Sequence, residues 1–254
     1  MNFRIRNQLF VKSFFKPDGK NSIIPQESNI SHNSIYSFQN ETYTLPPTTN
    51  CITVTMSGGG GAGGNGVIKN GVCYGGGGGG AGGACLKKPI CISNTTNEKI
   101  TVKTVVGKGG TALSPDGQLS SISVYVGKKL VFNHVAHGGK RGGNTHLDNK
   151  GGKGGACSTN EMFGGYDGMQ GSVTLSGIGN VIGGRGGNSA FNEGGLGGNQ
   201  TDAFYLDFEK DYKKIEEQSG GENGSMGSGG GGSVPGPEPD IVGNGGDGFV
   251  IIEM

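Results

Sequence analysis

Tryptophan is absent, and no apolar run approaches the eighteen residues that mark a membrane-spanning helix. A dominant sign of charge is missing too: 21 Lys and Arg stand against 20 Asp and Glu, a formal net charge of +1. That balance argues against nucleic acid as the main partner. The chain has only 4 His and 5 Cys (Cys51, Cys73, Cys85, Cys91 and Cys157), with no CxxC among them. Without paired ligand spacing, no metal site and no cofactor are expected. The cysteines read as free, partly buried thiols; in an oxidising compartment Cys73 with Cys85, or Cys85 with Cys91, could pair. The opening MNFRIRNQLFVKSFFKPDGK has no continuous apolar stretch, so no Sec leader is expected.

Leu, Ile, Val and Phe make up only about a fifth of the residues, near the ~20% line below which chains tend to be disordered. Disorder by composition usually also needs strong self-repulsion, which this chain lacks. Its apolar residues are moreover clustered into strand-like runs. A folded protein is the expectation.

Glycine fills the space left by the missing residues, at 57 positions in 254. Each costs roughly 0.5–1 kcal/mol relative to Ala where a regular element must form, and the sum would swamp a normal net stability of ~5–15 kcal/mol. Either the glycines are disordered, or each sits where only a hydrogen side chain fits. They group at 58–66, 75–83, 138–143, 151–155, 183–187, 194–198, 227–232 and 243–248, with neither a Gly-X-Y register nor a fixed period. Extended helices of the polyproline II type rise about 3.1 Å per residue and form no internal hydrogen bonds. With glycine at nearly every position, such helices can lie side by side and exchange backbone hydrogen bonds. The glycines would then be the core, with Gly58, Gly59, Gly60, Gly75, Gly76, Gly77, Gly78, Gly79 and Gly80 at its centre. The stem 75–83 would span roughly 28 Å.

Around these stems lie strand candidates. CITVTM (51–56) alternates Ile52, Val54 and Met56 on one face, and ETYTLP (41–46) alternates before the Pro46-Pro47 break. KPICIS, EKITVKTVV, SSISVYV and KLVFNHV follow between 88 and 135, with turns at NTTN (94–97) and YVGKK (125–129). GSVTLSG (171–177) is weaker, and 249–252 reads as a buried strand. One helix is expected at 202–218, where Phe204, Phe208, Tyr212 and Ile215 form an apolar stripe ended by Gly220-Gly221. Residues 1–40 are almost free of glycine and read as a separate attachment or assembly segment.

The order of these pieces resembles a known type. YTLPPTTNCITVTMSGGGGAGG, then EKITVKTVVGKGG, SSISVYVGKKLVFNHVAHGGKRGG and finally GNGGDGFVIIEM are similar to the glycine-rich domain of phage tail-fibre adhesins and giant-virus structural proteins, over about 41–254. The resemblance implies a lattice of polyglycine II helices on a strand base, and in some members distal loops that bind a host receptor. The first 40 residues and the 202–218 helix have no counterpart in that pattern. The expected fold class is mainly β and irregular: a small sheet or sandwich base with packed polyglycine II helices and one short α-helix insertion.

Enzymatic readings find little footing. The stretch GGGGAGGNG satisfies GxGxxG trivially, and no Gly-Lys pair is followed by Ser or Thr as a P-loop needs. His134, His137 and His146 lie near Asp148, in a spacing that suits neither a helix-borne metal pair nor a triad. No catalytic residue is nominated. The expected function is a non-catalytic structural protein of a virion or surface fibre, on the particle or outside the cell, with host attachment as its purpose. A receptor-binding adhesin is the first alternative, with Arg141, His146, Phe163, Tyr166 and Phe191 as ligand contacts and a surface glycan or protein as ligand. A disordered RGG-like nucleic-acid binder, from GGKRGG and GGRGG, is the second. Other virion or fibre proteins would dock through residues 1–40, and homotrimer formation or fibre capping would use the same segment.

Overall fold

The computed structural model describes residues 34–69, 72–144, 167–171, 173–175, 181–200, 220–234 and 242–254. The expected 202–218 helix lies outside these residues, as do His146, Phe163, Tyr166 and residues 1–33. The described part is mainly β, with thirteen strands and no helix. They are β1 (Ser34–Ser37), β2 (Glu41–Leu45), β3 (Cys51–Ser57), β4 (Val67–Lys69), β5 (Val72–Tyr74), β6 (Ala84–Cys91), β7 (Ile100–Val105), β8 (Ser120–Val126), β9 (Lys129–Ala136), β10 (Val173–Leu175), β11 (Val181–Ile182), β12 (Asn199–Gln200) and β13 (Phe249–Glu253).

Two four-stranded antiparallel sheets form the base, in the orders β1-β13-β3-β6 and β2-β7-β8-β9. Two ribbons accompany them, β10-β5-β4 and β11-β12. Period-2 alternation turns one face of each large sheet inward. Ile52, Val54 and Met56 of β3 meet Ile122 and Val124 of β8 in one apolar cluster, which also holds Ile100, Val102, Val250 and Ile252. Burying such side chains stabilises by about 1.5–3 kcal/mol each, so this small sandwich is a conventional core. The closing strand is buried at Phe249, Val250 and Ile252, and Ile251 is half-buried.

Both expected turns are present. Asn97 ends the first at φ 52, and Gly127 sits in the second at φ 58, a left-handed conformation that favours glycine. The body also begins earlier than residue 41. Strand β1 pairs with β13 from Ser34↔Glu253 to Ser37↔Val250, and Ser37 Oγ bonds Thr104 Oγ1 of the opposite sheet at 2.8 Å.

Register places the glycine runs at one end of the sandwich. Ser57 lies opposite both Ala84 and Phe249, and Ser120 lies opposite Ala136. The chain therefore leaves β3 and β9, and enters β6 and β13, at glycine segments that begin side by side. Ser120 joins the two sheets there. Its fully buried hydroxyl donates to Ser57 O at 2.6 Å and accepts from Gly107 N at 2.9 Å.

Candidate functional site

Beyond the sandwich, the glycine segments lie against one another and exchange backbone hydrogen bonds in a three-residue rhythm. In the run 58–64, Gly58, Gly61 and Gly64 donate to the carbonyls of Gly83, Gly80 and Gly77 at 3.0, 2.8 and 2.7 Å. Gly59 and Ala62 donate to Gln118 and Pro115, and Gly60 and Gly63 to Gly246 and Gly243. Carbonyls of the same run face three further segments. Gly59 and Ala62 accept from Gly139 and Gly142, Gly61 and Gly64 from Gly230 and Ser233, and Gly60 from Gly110. One run thus has six neighbours, each met again after a step of three wherever it is met twice.

The run 228–233 is enclosed in the same way. It bonds to the segments holding Gly61, Gly79, Gly187, Gly195, Glu222 and Gly243. Every buried N–H and C=O needs a partner, and here the partners are other backbones.

Closeness, rather than unusual dihedral angles, is what demands glycine. Among the described glycines only Gly127 and Gly227 have a positive φ. A Cβ on Gly63, by contrast, would sit 1.9 Å from Gly231 O, and one on Gly76 would sit 1.9 Å from Gly64 O. Backbone atoms hold those positions, so no side-chain movement relieves the clash. Ala62 and Ala81 are the exceptions within their runs, and both are fully buried. The six residues Gly75, Gly76, Gly77, Gly78, Gly79 and Gly80 run through this packing, as do Gly58, Gly59 and Gly60; all are buried.

A family model described as a glycine-rich domain matches residues 36–254. The chain belongs to that glycine-rich domain family. No curated protein matches it. The family match begins within β1, in keeping with the pairing of that strand to β13.

At the rim of the glycine-rich domain, side chains take over from backbone. Asp247 accepts Gly109 N with one carboxylate oxygen and Lys108 Nζ with the other, both at 2.8 Å. Asp116 repeats the device, taking Arg141 N at 3.0 Å and Lys140 Nζ at 2.7 Å. Partial burial pushes the Asp116 carboxyl up, but the Lys140 bond, the Arg141 N–H and the two positive charges outweigh it and hold the group below its ordinary value. Side-chain carbonyls do the same elsewhere: Asn144 Oδ1 accepts from Asn65 N, Asn188 Oδ1 from Gly194 N and Asn223 Oδ1 from Asn244 N. None of these residues stood out by composition. The signal available was an Asp or Asn set beside glycine, as in Asp116-Gly117 and Gly246-Asp247-Gly248.

Two of the expected ligand contacts fall among the described residues. Arg141 is exposed, with its backbone anchored on Asp116. Phe191 is half-buried, its ring edge-on to Phe249 with centroids 4.7 Å apart. The other three, His146, Phe163 and Tyr166, lie outside the described residues. His134 is a core residue on β9, 2% exposed and stacked on Phe132. Burial first, and then the Lys88 charge, lowers its pKa from the ordinary 6.5 and favours the neutral ring. The cysteines follow the strand faces. Cys85 is buried and Cys91 exposed, on opposite faces of one strand, where a register shift and Lys87 at φ 48 interrupt the pairing. Six residue steps along the strand set the two roughly 20 Å apart. The Cys85–Cys91 pairing drawn from spacing therefore does not fit this fold.

Proposed function

We propose that the packed runs are polyglycine II helices and that the glycine-rich domain is a non-catalytic structural element of a virus particle or surface fibre, serving host attachment. The supporting observation is the three-residue recurrence of bonding partners around 58–64 and 228–233. A helix of three residues per turn without internal hydrogen bonds points its donors and acceptors outward in a threefold pattern, which suits six neighbours. Such a body is stiff because each run is bonded on all sides. It needs no large apolar core, and it can carry loops at a fixed distance from a strand base. The placement on a particle or fibre rests on the resemblance of the strand, proline turn, strand and polyglycine order.

An antibody raised against the full chain tests the placement. It should decorate the surface of intact particles or fibres from the source; label confined to the cell interior would overturn it. The polyglycine II assignment is tested separately by amide exchange. N–H groups of 58–64 should be protected as strongly as those of β8, and exchange at random-coil rates would end it.

The adhesin reading is the second proposal, and one described turn gives it a test. Leu113 is 97% exposed at the tip of a turn held by the Thr111 N to Ser114 O bond and by Thr111 Oγ1. Single exposed apolar side chains are common on protein surfaces, so the part this turn plays in contact rests on a binding measurement. Binding of the full chain to host cells or a glycan array, lost in Leu113→Asp, would support it; equal binding by both proteins would count against that turn. The RGG-like reading sits poorly with the rim, where Lys140 pairs with Asp116 and Arg185 with Glu193.

A further inference from the structure

Cys51 and Cys91 lie 40 residues apart in sequence and directly opposite one another on β3 and β6. The bond Ile92 N to Asn50 O, at 2.8 Å, makes the neighbouring pair Asn50/Ile92 a hydrogen-bonded one. Pair types alternate along an antiparallel ladder, so Cys51/Cys91 occupies a non-hydrogen-bonded site. There the Cα atoms stand about 4.5 Å apart and the side chains are at their closest, within the range a disulfide spans. Both thiols are exposed, on the outer face of the sheet. Their sulfurs are close enough to interact. The Cys51 thiol is pushed above its ordinary value, first by desolvation and then by the bond to Cys91 and its charge.

We propose that Cys51 and Cys91 are a redox site that closes to a reversible cross-strand disulfide. The oxidant is a low-molecular-weight disulfide of the glutathione type. One protein thiolate attacks a sulfur of that molecule, forms a mixed disulfide and releases one small thiol. The facing cysteine then displaces the second small thiol and leaves the Cys51–Cys91 bond. The protein dithiol loses two electrons and two protons, and one small disulfide becomes two small thiols. Exposure makes the bond equally open to reduction, as expected of a labile rather than a buried structural disulfide.

The position gives the bond a consequence. β6 is an edge strand, and the loop closed between 51 and 91 contains the runs 58–66 and 75–83. At its other end the β3–β6 pair feeds both runs, at Ser57 opposite Ala84. Oxidation would clamp the free end of that hairpin and hold the root of the packed runs in register. Closing a loop of this length restricts the unfolded chain, so the oxidised form should melt roughly 5–15 °C higher than the reduced form.

The test uses the full chain, reduced and then equilibrated in glutathione buffers of rising oxidised-to-reduced ratio. Free thiols are blocked and the peptides mapped by mass spectrometry. The expected product is a peptide pair joined through Cys51 and Cys91, reversed on return to excess reduced glutathione. Cys51→Ser should instead leave Cys91 as a persistent glutathione adduct. Separate adducts on Cys51 and Cys91 in the wild type, unreacted thiols at both, or a link from either to a different cysteine would overturn the proposal. So would an oxidised form with an unchanged melting midpoint.

Discussion

Alanine at Gly63 gives the sharpest test of the packed glycine body. Where a fixed native backbone accepts the side chain without strain, Gly→Ala stabilises by about 0.4–1 kcal/mol, because it restricts the unfolded state. Here the new methyl would meet Gly231 O at 1.9 Å, where ordinary contact begins near 3.4 Å. Relief requires the run 228–233 to move away by about 1.5 Å. That movement would stretch Gly230 N to Gly61 O and Ser233 N to Gly64 O, now 2.9 and 3.0 Å, to roughly 4.5 Å, well past hydrogen-bond length. Each bond lost in a buried setting costs about 1–3 kcal/mol, so Gly63→Ala should destabilise by about 2–6 kcal/mol. Against a typical total of ~5–15 kcal/mol this is severe, and the melting midpoint should fall roughly 5–20 °C. Urea unfolding followed by circular dichroism, with thermal melts alongside, reads the effect. Ala62→Gly is the matched control at the neighbouring position, where a methyl is already accommodated; its cost should stay near 1 kcal/mol. A Gly63→Ala midpoint equal to or above wild type would refute the reasoning, since the run could not then be enclosed.

Ser120→Ala removes the hydroxyl that bonds both Gly107 N and Ser57 O, and should cost about 1–3 kcal/mol by urea midpoint; a loss under about 0.5 kcal/mol would mean the hydroxyl does not join the sheets. His134 has a folded pKa below its ordinary 6.5, so the unfolded state binds the proton first: stability should be full above 6.5 and fall as pH drops through that value towards the folded one. His134→Gln should abolish that fall in urea midpoints between pH 7.5 and 5.5, and an identical slope in both proteins would refute the assignment. Asp116→Gly combined with Asp247→Gly uncovers rim N–H groups without adding bulk, and should raise self-association in sedimentation velocity; an unchanged monomer fraction would show that these carboxylates do not close the rim.

The sandwich was largely legible because its signal is local. Ile52, Val54 and Met56 announce a face by alternation alone, and SSISVYV buries Ser120, Ile122, Val124 and Val126 as its period requires. That glycine would serve as interior was also legible, since 57 glycines demand either disorder or close packing. Which run neighbours which was not. Gly61 meets Gly80 and Gly230, and no local pattern distinguishes one polyglycine stretch from another. Strand β1 was missed because SIYS is short and polar, and it becomes a strand only when β13 offers a partner. The Cys51/Cys91 meeting was invisible for a related reason: it depends on a register set across 40 residues. Phe191 stood out as an aromatic between glycines, but its ring contact with Phe249 follows from tertiary packing alone.

Backbone packing of this kind raises a problem that apolar cores do not have. An apolar core ends wherever its side chains end, but a bonded bundle of runs has an outer layer whose N–H groups would accept yet another run, much as a bare edge strand accepts another strand. The rim chemistry answers that problem. Asp247 and Asp116 take outward N–H groups of Gly109 and Arg141 and bring a lysine to neutralise the carboxylate. Another copy docking there would have to strip both ion pairs and would meet side chains where it needs bare backbone. Exposed ion pairs of this sort contribute little stability, typically ~0–1 kcal/mol. Their worth lies instead in ending the packing at a defined size. In both pairs the acid that meets the lysine, Asp247 with Lys108 and Asp116 with Lys140, is also the group that caps the next backbone N–H.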